Sequence, residues 1–133
     1  MRVDPHLTFR GDCEEAFRFY ERLFGGNLAL LSYGSSPAVS TVPEGWRSKI
    51  VHATLVLADG NRLLGADLLP EQFERPQGVY LLAALRDAAE AQRVFDALAD
   101  GGSVKMPLQK TFWSPSFGVV VDRFGTPWEI TVE

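Results

Sequence analysis

A chain of 133 residues with 46% apolar and 23% charged side chains has room for a buried core and excludes disordered or collagen-like sequence. The formal net charge is −4 and Lys and Arg are scattered rather than striped, which argues against nucleic acid as a partner. No apolar run approaches the roughly 20 residues that span a bilayer, the opening MRVDPHLTF has no signal-peptide core, and Cys13 is the only cysteine, so the expected setting is the cytoplasm, without a membrane partner.

Taken in order, HLTFR (His6 to Arg10) reads as a short strand whose polar set is His6, Thr8 and Arg10. A helix follows, with Asp12 as N-cap, Glu15 completing a capping-box pattern, and Ala16, Tyr20, Leu23 and Phe24 on its apolar side. Cys13, in its first turn, reads as a small core residue; a thiol there could also be activated by the helix dipole. Gly25 and Gly26 supply the stop. LALLSY (Leu28 to Tyr33) is a strand, and the Gly/Pro/Ser-rich Gly34 to Ser48 a mobile loop. KIVHATLVL (Lys49 to Leu57) and NRLLGAD (Asn61 to Asp67) form a hairpin around Asp59-Gly60, with His52 and Thr54 on one face. Leu69 to Gly78 is a linker. VYLLAAL (Val79 to Leu85) opens a second set of elements: a helix after Asp87, then strands around Ser103 to Met106, over Phe117 to Asp122 and over Trp128 to Val132.

The second set repeats the first. Shifting by 75 residues puts Asp12 on Asp87, Glu15 on Glu90, Ala16 on Ala91, Tyr20 on Phe95 and Leu23 on Leu98, and one further residue brings Gly25-Gly26 onto Gly101-Gly102. Matching caps, faces and stops point to a duplication. The expected fold is therefore α+β, one domain over residues 1–133, with βαβββ modules at 1–68 and 78–133 joined by a linker at 69–77.

Two such modules in one short chain resemble the vicinal oxygen chelate superfamily (glyoxalase, bleomycin resistance, dioxygenase), and in particular its PhnB-like branch, labelled 3-demethylubiquinone methyltransferase-like. Pro5 to Gly26, Val51 to Asp67 and Met106 to Ile130 carry the resemblance; the last is the most specific, with its Met-Pro-Leu-Gln, Thr-Phe-Trp and Asp-x-Phe-Gly elements. The resemblance implies curled sheets around a cup that holds a small molecule, a homodimer, and in many members a divalent metal held by the first and last strands of each module. No glycine-rich nucleotide loop follows a strand, so the methyltransferase label itself finds no support in the residues.

Alternation in the final strand sets Trp128, Ile130 and Val132 against Glu129 and Thr131, which places Glu129 on the cup side. His6 and Glu129 are the candidate metal ligands, for Zn, Fe, Mn or Ni. His6 lies six residues before Asp12, where metal-binding relatives show seven, so either the turn is shorter or His6 faces the other way. Tyr80 stands where the second module would carry a histidine, and Asp67 is the only acid on its strand. With so incomplete a set, His6, His52, Tyr80, Trp113 and Glu129 are expected to line a ligand pocket, Glu129 being the candidate base. Phe112, Trp113, Phe117, Phe124, Trp128 and Trp46 could stack a flat ligand or serve core and dimer packing. The favoured reading is a small-molecule binder; the alternatives are a metal-dependent lyase, isomerase or dioxygenase, and a structural dimer with a vestigial cup.

Overall fold

A computed structural model describes residues 1–133. The chain forms two compact units, Met1–Glu74 and Arg75–Glu133. The first contains β1 (His6–Phe9), α1 (Cys13–Phe24), β2 (Asn27–Ser32), β3 (Ile50–Val56) and β4 (Arg62–Asp67). The second contains β5 (Leu81–Leu85), α2 (Ala88–Ala99), β6 (Ser103–Gln109), β7 (Phe117–Val121) and β8 (Pro127–Val132). Each unit is a βαβββ module with one four-stranded mixed sheet, in the orders β1-β4-β3-β2 and β5-β8-β7-β6. In both, the first and last strands are parallel and the remaining pairs antiparallel. The α+β expectation and the paired modules both hold. No helix is long and apolar enough to cross a membrane.

Each helix buries one apolar stripe against one face of its own sheet. In the first unit Phe17 stands edge-on to Phe9 and Tyr20, with ring centroids 6.0 and 5.8 Å apart, over Ala53, Leu55 and Leu63. In the second, Val94, Phe95 and Leu98 bury with Val120, Trp128, Ile130 and Val132. Glycine permits both contacts: a Cβ on Gly65 would come within 2.4 Å of the Phe17 ring, and one on Gly118 within 2.8 Å of Phe95. The apolar face of the last strand thus packs against its helix as its alternation predicts.

Three segments differ from expectation. β6 runs on to Gln109 instead of ending near Met106, with irregular register either side of Met106; Pro107 has no N–H to offer the ladder there. The Gly34 to Ser48 segment holds two short 3-10 turns, Pro37–Thr41 and Glu44–Trp46, and is closed at its base by Gly34 N–H to the Arg47 carbonyl and Tyr33 N–H to the Lys49 carbonyl. Asp12 does not cap α1 with its side chain. The carboxylate of Asp67, at the end of β4 and wholly buried, accepts instead from the N–H groups of Gly11 (2.8 Å), Cys13 (3.0 Å) and Ile50 (2.9 Å). Cys13 beside it is fully buried, and burial pushes its thiol well above the usual range, so it is a core residue and not an activated nucleophile.

Candidate functional site

The register fixes which side chains share the sheet face turned away from each helix. In the first unit His6 pairs with Leu64 and Leu64 with Thr54; the next row holds Thr8, Ala66 and His52. Gly65, against Phe17, belongs to the opposite face, so His6 looks away from the helix. That resolves its orientation in favour of the polar face. His52 and Thr54 share the same face, with Thr54 Oγ1 3.1 Å from His52 Nε2. Burial draws the His6 imidazole below the usual histidine range, and the charge of His52 adds to the effect. One row beyond His6, Asp4 is held by the guanidinium of Arg62 and by Arg2, whose other end reaches the Gly60 carbonyl. The Arg62 ion pair keeps the Asp4 carboxyl below its usual range.

In the second unit the equivalent rows are Leu82, Glu129 and Val119, then Ala84, Thr131 and Phe117. Glu129 is half-buried and makes no hydrogen bond or ion pair. Trp113 stands edge-on to Phe117 at 5.2 Å and carries Phe112 edge-on at 4.6 Å. The turn that presents them is knotted around buried Ser114. Its hydroxyl accepts from Thr131 Oγ1 (2.9 Å) and lies 2.7 and 3.1 Å from the carbonyls of Ser116 and Val132. Tyr80 precedes β5 and is 47% exposed.

The two modules can be laid on one another through matched bonds. Leu68 N–H donates to the Phe9 carbonyl and Glu133 N–H to the Leu85 carbonyl, so Phe9 corresponds to Leu85 and Asp67 to Val132. His6 therefore corresponds to Leu82, whereas the count of seven back from Asp87 points to Tyr80 as the second module's ligand position; Glu129 corresponds to Leu64. The first β–α turn is one residue longer (Arg10-Gly11-Asp12 against Arg86-Asp87), so His6 lies six residues before Asp12 and Leu82 only five before Asp87, and Tyr80, seven before Asp87, falls two residues short of the equivalent position.

This correspondence tests the metal expectation directly. Of the four positions on the first and last strands, His6 and Glu129 carry donors and Leu64 and Leu82 carry none. Asp67, the one acid on β4, is on the helix side and its oxygens are occupied by three N–H groups. No three His, Cys, Asp or Glu side chains gather in a metal-binding arrangement. An open metal site needs about three protein ligands, and neither module supplies them, so these residues do not fit the metal that the fold family implies. The Asp-Arg-Phe-Gly element is likewise structural. The Asp122 carboxylate accepts from the N–H groups of Phe124 (2.9 Å) and Thr126 (3.0 Å) and from Trp128 Nε1 (2.9 Å), tying the turn to the core.

Comparison with known proteins follows the same lines. The family model described as 3-demethylubiquinone-9 3-methyltransferase matches residues 1–131. Protein YjdN of Escherichia coli (strain K12) is 33% identical, over 99% of this chain and 95% of its own length. Among solved structures, protein PA1353 from Pseudomonas aeruginosa is similar with a TM-score of 0.90 at 42% identity, covering 100% of this chain and 98% of that one. The PhnB protein from Bacillus cereus gives 0.83 at 26% identity, covering 100% of both. A glyoxylase/bleomycin resistance protein/dioxygenase domain from Frankia sp. EAN1pec shares the fold, with a TM-score of 0.67 at 14% identity over 99% of this chain and 96% of that one.

Proposed function

Because the chain belongs to the 3-demethylubiquinone-9 3-methyltransferase family, the PhnB-like branch of the vicinal oxygen chelate superfamily, we propose that it binds a small organic molecule through the sheet faces turned away from its helices. His6 and His52 are the proposed ligand-binding groups of the first module, and Tyr80, Trp113 and Glu129 those of the second. One observation carries the reading: at the two positions equivalent to His6 and Glu129 stand Leu82 and Leu64. The first row thus sets His6 and Thr54 about Leu64, and the second sets Glu129 between Leu82 and Val119, a sparse set of polar groups suited to fixing the orientation of an organic ligand rather than to chelation. A folding role for Glu129 is disfavoured, since its side chain has no partner within the chain.

The family label names a methyl transfer, and the residues give that reaction no cofactor loop. The metal-dependent lyase, isomerase or dioxygenase reading has Glu129 as its base but lacks the donors.

A thermal-shift screen against a panel of small aromatic and polar compounds tests the proposal. A hit should raise the unfolding midpoint of the wild-type protein, and the rise should vanish in a variant combining His6→Ala, His52→Ala and Glu129→Ala. A hit that persists in that variant places binding elsewhere. Stoichiometric metal in protein purified without chelators, lost with Glu129→Ala, would restore the enzyme reading.

A further inference from the structure

We propose that the second module's face takes a flat aromatic cation, its ring set against Trp113, which stands on buried Phe117, and its positive or N–H-bearing edge turned to Glu129. This rests on the reading that the face binds a small molecule, and narrows it to one chemical class.

Three observations converge. First, Glu129 is the only charged residue that the β5-β8-β7 register places on this face; its row neighbours are Leu82 and Val119, and Val119 pairs onward with Met106. A carboxylate with apolar neighbours and no partner repels anions and gains from a cation or a donor that covers it. Second, the aromatic wall stands one row away. Phe117 pairs with Thr131, two residues along β8 from Glu129, a separation of about 7 Å in a strand. That is about the span of a fused bicyclic ring with a charge or donor at one edge. Third, the wall is preorganised. The Ser114 knot pins the turn through Thr131, Ser116 and Val132, and Trp113 stays 56% exposed upon Phe117 instead of collapsing into the core. A side chain already ordered loses little entropy on binding, and an indole face is the strongest aromatic partner for a cation. The first module has nothing comparable: its row holds an imidazole, Leu64 and Thr54, and the nearest carboxylate, Asp4, is engaged by two arginines.

Two bicyclic probes of matched size test the class: N-methylquinolinium, a cation, and naphthoate, an anion. Equilibrium dialysis of the full chain at pH 7 and low salt should show the cation binding at least about tenfold more tightly. Glu129→Gln should abolish that preference, and Trp113→Ala should weaken the cation by about tenfold. Both positions are partly exposed, and an unchanged unfolding midpoint in the ligand-free variants checks that folding is intact. Equal binding of the two probes, or a preference that survives Glu129→Gln, overturns the proposal. If neither probe binds but other compounds in the thermal-shift panel do, through His6 and His52, the aromatic-cation class falls and the small-molecule reading stands. If nothing binds at all, both fall.

Discussion

The two helix N-termini of this molecule begin from nearly the same sequence and are capped by different means. Before α2, Asp87 is extended (φ −146°, ψ 167°), and its carboxylate accepts from Glu90 N–H at 2.8 Å. Before α1, Asp12 sits at φ −112°, ψ 21° without a capping bond. The extra turn residue, Gly11 at φ 114°, rotates Asp12 out of place, and Asp67 reaches in from a strand 54 positions away to take the Cys13 N–H. Val132 occupies the place of Asp67 in the second module, so α2 has no such remote acceptor and depends on its local one. An N-cap pattern is thus a statement about side-chain supply. Which carboxylate meets the N–H groups depends on the length of the preceding turn and on what the neighbouring strand presents.

Three substitutions bear on this contrast. The largest effect is expected from Asp67→Val, which installs the second module's residue in the first. It leaves three N–H groups unpaired, those of Cys13 and Ile50 buried and that of Gly11 part-buried, so urea unfolding should show a loss of about 3 kcal/mol. A loss below 1 kcal/mol would mean that the turn finds other acceptors. Asp87→Ala removes a single exposed cap and should cost about 1 kcal/mol; a cost matching that of Asp67→Val would erase the distinction between the ends. The smallest effect has the opposite sign. Burial, with the charge of Asp67 adding to it, raises the Asp12 carboxyl, so ionised Asp12 opposes folding. Asp12→Asn should therefore raise the unfolding midpoint slightly at pH 7. The gain should fade as pH falls through the raised folded-state value toward the unfolded value of 3.8, below which both states are protonated.

Much of the fold was legible in the residues. The 75-residue shift that matched Asp12 to Asp87 also superposes the two helices, Cys13–Phe24 and Ala88–Ala99, end to end. The Asp59-Gly60 signal is a turn with both residues at positive φ (62° and 79°), as a tight hairpin requires. Alternation alone assigned Trp128, Ile130 and Val132 to the helix side and put His52 with Thr54, but it left the facing of His6 open until the strand register placed it with them. What counting along the chain missed was set by turn length. Tyr80 was matched to a histidine position that belongs to Leu82, and Asp67, read as a weak ligand candidate, is a structural anchor whose partners lie at Gly11, Cys13 and Ile50. The Ser114 knot under Trp113 had no signal in the sequence, because the two bonds that tie it to β8 run to residues 17 and 18 positions away.

By itself the sequence determined the module type, the faces of the later strands and the helix limits, because these follow from periodicity and from groups within a few positions of one another. Only the tertiary structure decided which carboxylate caps α1, which leucines stand where ligands were expected, and which aromatic ring stands beside the Glu129 row. Each of those is a pairing across strands, and a one-residue change in a turn moves every such pairing while leaving the local pattern untouched.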